Sequence, residues 1–527
     1  MSALPDRLFP SFKRFFASRT DLFLFLLATL AGGWLLFSNL NGIIYLSEDE
    51  ARPFQLMTSG QLMYLLSHPF FLLFHTQASV FYLVAFLNFL SLILFYVLCR
   101  VSVGEKIAGF SSLIYAVFPL RIDYARMLYP ASYMEVFFLL AVLFSYLGLS
   151  RRQSWWMFGA GASLACVFLI HYMGYALIAG VVLGCAGFWF FQRESFRQKR
   201  PVFFLLKGIF GFLVFFLAVV LILKWCYRYD FYSTIWNFSH EAGVYKERFS
   251  SGVSYPIDFF SRITSSVFNS TLIFIAFVAT IMTVYFFLKK RDMALGFFIL
   301  VYISAASILF FLSTAGFHLL FERHFIWLIS FLCLAMGAVV VAWADRLGRN
   351  ARYGLITIFM VGIGISFFQS YLVVKETFGI HQITATLREN DIEKKSLLTF
   401  WKLYEPGDTK SSSLIPLYVS KSLIESDPMW HMHAKFTIAW PDIYKAYRMR
   451  LCDHILTSGI DVLRAEVGTG DPMLKNVQPV ASWRHPYSEF SHRGFYYPGS
   501  DWRIGLYRLS DVFSPENFEK MKKKLKK

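Results

Sequence analysis

The sequence predicts a polytopic α-helical membrane protein of about eleven transmembrane helices, followed by a small α/β domain outside the membrane. Three observations predict it. Apolar residues make up 56% of the 527 positions and charged residues 16%, against about 25% charged in an ordinary soluble domain. The charges are nearly absent from runs of about 20 residues, the length that crosses a hydrocarbon core of roughly 30 Å. Residues 375–527 break this pattern, with 23 Lys or Arg and 18 Asp or Glu.

The apolar runs lie near 20–44, 77–99, 106–120, 131–149, 154–170, 172–192, 202–223, 263–288, 293–312, 325–344 and 354–374. The third, fifth and ninth are short, and the fifth and sixth are divided only by His171-Tyr172 with Gly174 close by. The first run has no small-residue cleavage site at its end, which predicts a retained first span and not a removed leader. With the N-terminus placed in the cytoplasm, the inner segments hold eighteen Lys and Arg, among them Arg7, Arg100, Lys106, Arg151, Arg200, Arg346 and Arg352, against six acids. The outer loops hold nine of each sign. The bias has one sign throughout, as the positive-inside rule requires. One span more or fewer would put basic loops on both faces. An odd count leaves 375–527 outside, so residues 1–374 form the membrane domain with its outer loops and 375–527 an extracytoplasmic domain. The expected location is the bacterial cytoplasmic membrane, N-terminus in.

In that outer domain Glu405-Pro406-Gly407-Asp408 and Pro498-Gly499 are turn signals. Segments 396–401 and 502–509 resemble strands, and Ser514-Pro515 is a helix start with Ser as N-cap. The basic end, Lys520 to Lys527, fits a solvated helix end or a contact with anionic lipid headgroups. Five of the six cysteines lie in or beside apolar runs, where a thiol is a small packing group, and Cys452 stands alone. No disulfide framework or metal knuckle is readable. No internal repeat appears, which disfavours transporter folds built from repeated halves.

Polar chemistry is confined to a few outer sites. Ser47-Glu48-Asp49-Glu50-Ala51-Arg52 follows span one. Three adjacent carboxylates repel one another unless a positive group or a proton is near, and a carboxylate there can act as general base toward an acceptor hydroxyl or amine. A solvated helix start would also collect acids. The apolar segment from Phe54 to Leu66, too short to span, suits a helix lying in the interface. His68-Pro69 follows it. Arg121, Asp123, Arg126 and Pro130 stand at the outer end of span three. Glu135 lies about one turn inside span four, facing the bundle interior or a cavity, or pairing with a nearby Arg. His171 sits at an outer turn. A long outer loop runs from Lys224 to Arg262, and Glu322-Arg323-His324 enters span ten. Arg and His donors suit a lipid-linked sugar phosphate. A donor already activated by its phosphate leaving group needs no nucleotide-binding motif, and neither GxGxxG nor a P-loop is present. Nothing in the pattern calls for nucleic acid.

These residues resemble a known family: the bacterial GT-C glycosyltransferases, in the group related to protein O-mannosyltransferases and the aminoarabinose transferase of lipid A. Asp49-Glu50-Ala51-Arg52 stands where that family has Asp-Glu-x-Arg. His68-Pro69-Phe70-Phe71-Leu72 is similar to its His/Lys-Pro-Pro-Leu stretch. Pro119 to Pro130, with Tyr124 and Arg126, is similar to its Pro…Tyr-x-Arg…Pro segment, and Glu322-Arg323-His324-Phe325 to its Glu-Arg-Tyr/His stretch. The resemblance implies an inverting transfer from a polyprenyl-phosphate sugar to an envelope acceptor. Asp49 would be the catalytic acid of the family's pattern, with Glu50 and Arg52 shaping its site. His171 would replace a Lys facing the phosphate, and Arg323 would lie near the phosphate or the acceptor. His68, Asp123, Arg126, Glu135 and His324 complete the expected substrate set. Phe70 replaces the second proline, and Ala131 and Ser132 stand where an acid often follows Pro130, a role open to Glu135 or Asp123. Ser67 occupies a position that is acidic in some relatives and can bind metal, so no cofactor is assigned and a divalent ion stays open.

Two other classes compete: a transporter or flippase for a lipid-linked saccharide, and an O-antigen polymerase or ligase-like enzyme. A transporter should carry charges or broken helices near the bilayer midplane. A polymerase or ligase would have no need of Asp49-Glu50 beside span one.

Overall fold

The computed structural model describes residues 19–40, 61–74, 78–171, 173–192, 201–228, 278–285, 292–314 and 325–375. Beyond them it describes 397–399, 403–404, 413–414, 453–457, 477–484 and 503–515, with isolated positions at 275, 386, 389, 390, 444, 447, 448 and 450. The helices are α1 (Arg19–Phe37), α2 (Gln61–Phe74), α3 (Ala78–Ser102), α4 (Glu105–Val117), α5 (Pro119–Ala125), α6 (Pro130–Ser150), α7 (Trp155–Ile170), α8 (Gly174–Phe191), α9 (Pro201–Tyr227), α10 (Met293–Thr314), α11 (Leu328–Ala344), α12 (Arg349–Lys375) and α13 (Leu509–Val512).

Six of these, α3, α6, α8, α9, α10 and α12, are long and apolar enough to cross a membrane, and α1, α2, α7 and α11 are shorter apolar helices. All of these except α2 coincide with predicted spans. The predicted eighth span, 263–288, lies mostly outside the described residues. The spans are punctuated by local chemistry. Gly104, at φ 103°, turns the chain from α3 into α4, a backbone conformation that glycine adopts without a Cβ clash. Pro130 opens α6 at its first turn, where its missing N–H is no loss. α8 packs on α10 through Gly180 and Gly184: a Cβ on Gly180 would stand 2.5 Å from the Val301 carbonyl oxygen, and one on Gly184 would collide with the Val301 side chain. This is the small-xxx-small packing by which membrane helices approach closely.

Two expectations need correction. The predicted third span is a broken helix. α4 has 13 residues, about 20 Å of rise, shorter than the hydrocarbon core on its own. Pro119 then restarts the chain as the seven-residue α5. The cause is local: Phe118 before the proline is extended (φ −69°, ψ 115°), because the proline ring disfavours helical geometry in the preceding residue. Most of both helices is buried against α1, α3, α6, α11 and α12. The interfacial helix also runs further than expected. The described helix α2 begins at Gln61 and runs through His68 and Pro69 to Phe74, because the apolar sequence continues and one lost backbone bond is tolerated in such a setting. Residues 54–60 lie outside the described set.

In the C-terminal region β1 (Leu397–Thr399), β4 (His454–Thr457), β5 (Ala481–Arg484) and β6 (Arg503–Arg508) form a sheet of order β1-β4-β6-β5. β1 pairs parallel with β4, and the other pairs are antiparallel, with Ile455 opposite Tyr507. β2 (Leu403–Tyr404) and β3 (Ser413–Leu414) make a separate antiparallel pair. The two predicted strands are β1 and β6. Ile455, Leu506, Leu509 and Val512 are buried between sheet and α13, and the Phe513 ring packs on Tyr444 and Tyr447. His454 faces Arg508 across the ladder, and its pKa is lowered by partial burial and then by that arginine's charge.

Candidate functional site

Side-chain contacts divide the bundle into two ends. At one end the Arg126 guanidinium donates to the Ser38 carbonyl after α1, at 2.5 Å. Asn39 donates to the Val374 carbonyl of α12 (3.2 Å), and Ser370 to the Val117 carbonyl at the end of α4 (2.9 Å). Ser67 of α2 shares a 2.8 Å hydrogen bond with Tyr133 in the first turns of α6. The His68 imidazole stacks on Tyr64, and Tyr227, at the end of α9, meets both rings edge-on. At the other end Asp21, Arg100 and Glu105 join the start of α1, the end of α3 and the start of α4. Lys106 there pairs with Asp345 at 3.0 Å, after α11. By these contacts α1, α4 and α12 run opposite to α3 and α11, and Arg126 lies with the ends of α1, α4 and α12.

Of the sequence-predicted residues, His68, Asp123, Arg126, Glu135 and His171 are described. Asp49, Glu50, Arg52, Arg323 and His324 lie outside the described residues. Asp123 and Arg126 are both buried on α5 and its cap, one helical turn apart. The Arg126 Nε has no hydrogen-bond partner among the described residues, so its fork retains a donor for an oxyanion. His171 caps α7 in an extended conformation, and its Nδ1 accepts the Met173 N–H at 3.2 Å. In the neutral ring the proton then belongs on Nε2. Contacts of α2 with α7 and of α5 with α6 put these residues on neighbouring elements.

Glu135 is placed differently from its companions. It is 1% exposed, and its Oε2 lies 3.7 Å from Nε of Arg121. Arg121, fully buried, also donates to the Asn88 carbonyl at 2.7 Å and lies 3.9 Å over the Tyr115 ring. The pairing alternative weighed in the sequence is the arrangement found. Sequence reasoning missed Asn88, Tyr115, Ser132 and Tyr133. Asn88 could have been found: a lone amide in a 25-residue apolar helix needs partners inside the bundle.

Among the described residues no three His, Cys, Asp or Glu side chains stand close enough to hold a metal. Ser67, at the position related to a metal-binding acid, bonds Tyr133 instead. The described residues do not build a metal site.

The described helices form a polytopic bundle, with a broken helix at α4–α5 and buried polar groups, that matches the GT-C membrane fold. A family model, that of the dolichyl-phosphate-mannose-protein mannosyltransferases, matches residues 62–222, the stretch from α2 to α9. ArnT from Cupriavidus metallidurans bound to undecaprenyl phosphate is similar in structure, with a TM-score of 0.50 at 12% identity, over 94% of this chain and 99% of that one. The apo oligosaccharyltransferase of Archaeoglobus fulgidus gives a TM-score of 0.50 at 11% identity, over 84% of this chain and 70% of that one. No curated protein sequence matches the chain.

Proposed function

We propose that the chain is an inverting glycosyltransferase that moves a sugar from a polyprenyl-phosphate carrier to an envelope acceptor at the outer face of the cytoplasmic membrane. One observation carries this reading: the matched family stretch, 62–222, spans the elements that carry His68, Asp123, Arg126 and His171. In the transfer Asp49 takes the proton from the acceptor hydroxyl or amine as that atom bonds to the anomeric carbon. The bond from that carbon to the phosphate oxygen breaks on the opposite side, and polyprenyl phosphate leaves with the electron pair. Glu50 and Arg52 shape the base's surroundings. Arg126, His68, His171, Arg323 and His324 hold the phosphate charge by charge-assisted hydrogen bonds, and Asp123 keeps Arg126 oriented.

Connectivity supports the assignment. The start of α11, just after Arg323 and His324, and the end of α1, before Asp49, both belong to the end that carries α5. Arg100 and Lys106 lie at the other end, which supports the proposed orientation, N-terminus in and residues 375–527 outside. The outer domain is then placed to select the acceptor.

A flippase for a lipid-linked saccharide is the reading that the α4–α5 break and the buried Arg121–Glu135 charges favour. Those charges face each other at 3.7 Å, and Arg121 is tied to α3 through the Asn88 carbonyl, which suits a structural lock better than a moving substrate site. Mass spectrometry of lipids, glycans and envelope proteins from cells with and without the chain separates the two. Transfer predicts an acceptor that loses a covalently attached sugar when the chain is removed. An unchanged set of glycosylated products with a redistributed lipid-linked saccharide would reject transfer.

A further inference from the structure

α5 has seven residues, too few to hold a helix by backbone bonds alone, yet it carries Asp123 and leads into Arg126. Its placement must come from its side chains. Arg121 reaches three other elements at once: the Asn88 carbonyl of α3, the Tyr115 ring of α4 and the Glu135 carboxylate of α6. The same network continues outward. Asn88 donates to the Ser132 carbonyl at 2.9 Å, and the Ser132 hydroxyl donates to the Tyr124 carbonyl of α5 at 2.5 Å. A buried guanidinium without a counter-charge is costly, so Glu135 fixes where Arg121 can sit, and Arg121 fixes α5.

We infer that Arg121 and Glu135 are positioning residues that hold α5, and with it Arg126, against α3 and α6, and that the pair acts on the donor only through that placement. This rests on the reading of Arg126 as a phosphate ligand. It takes Glu135 out of the substrate set in which the sequence had put it.

The test uses the full chain in detergent micelles, with undecaprenyl phosphate as the probe. Two readouts are taken: the midpoint of thermal unfolding and the Kd for the probe. Four proteins are compared: the parent, Arg121→Met, Glu135→Leu and the double variant. Each single variant leaves a lone buried charge. It should unfold at a lower temperature, and its folded fraction should bind the probe about tenfold to a hundredfold more weakly, the scale set by an ångström-sized misplacement. The double variant replaces the pair by apolar groups of similar volume and should return both readouts to near the parent values. Single variants with lowered unfolding midpoints but unchanged Kd would make the pair merely structural and overturn the positioning role. A double variant that is stable yet still binds weakly would mean direct contact with the lipid, and overturn it too. Single variants as stable as the parent would remove the lock itself. Failure of the parent to bind the probe is a separate result, which rejects the donor reading and the role defined by it.

Discussion

Asp49→Asn should abolish most sugar transfer while leaving lipid binding intact. A positioned general base contributes about 10² to 10⁴ in rate, and an amide of nearly the same size cannot accept the acceptor's proton. The turnover rate should fall by that factor, and the Kd for undecaprenyl phosphate should stay near the parent value, because the proposed base acts on the acceptor and not on the phosphate. Glu50→Gln should fall less, since its role is to shape the site. Measuring initial rates and lipid affinity on the same preparations separates the effects. Equal loss in affinity and rate would place Asp49 on the donor instead.

The second large effect lies at the opposite end of the bundle. Arg100→Leu should destabilise the protein by about 3–5 kcal/mol, the usual consequence of removing one partner of a buried ion pair. Asp21 is 1% exposed. The Arg100 guanidinium donates to its carboxylate at 2.5 Å, to Tyr96 at 2.6 Å and to Glu105 at 2.7 Å, and the Tyr96 hydroxyl donates to Asp21 at 2.6 Å. The fork thus ties α1, α3 and α4 together from within. Without Arg100 the Asp21 charge keeps one neutral donor from this cluster in a setting with little water. Thermal unfolding in detergent should show a clear drop for Arg100→Leu and a smaller one for Arg100→Lys, whose single ammonium cannot fork toward two carboxylates. Asp21→Leu combined with Arg100→Leu should recover much of the loss. A single variant as stable as the parent would mean that the cluster is solvated.

What the sequence revealed and what it hid follow from range. Apolar run length is a local property, and it placed the helices from α1 through α12 to within a few residues, apart from α2, α5 and the end of α1. The direction of each span followed from the sign of its flanking charges, and the Lys106–Asp345 and Arg126–Ser38 contacts fit that alternation. The break at Phe118 was also local, since Pro119 signalled it, but the run, though short, was read straight through the proline. Pairing was not legible. Asp21 and Arg100 stand 79 positions apart, and Arg121 meets Glu135 and Asn88 only because three helices cross there. Sequence spacing holds no record of such crossings, so Glu135 remained open between substrate and structure until its surroundings were in view. Asp123, Arg126 and His171 were chosen by residue type and sidedness. The network that fixes Arg126, through Asn88 and Ser132, involves uncharged residues that no charge-based reading would select.

The central claim is that the stretch carrying Asp49 faces away from the cytosol, on the side where a lipid-linked sugar donor would be used. It is tested by placing a single cysteine at Ser47 in a chain whose six native cysteines are serine. Spheroplasts are treated with a membrane-impermeant maleimide before and after permeabilisation. Full labelling is expected before permeabilisation. Labelling that appears only afterwards would put the proposed base in the cytosol, apart from its donor, and contradict the account.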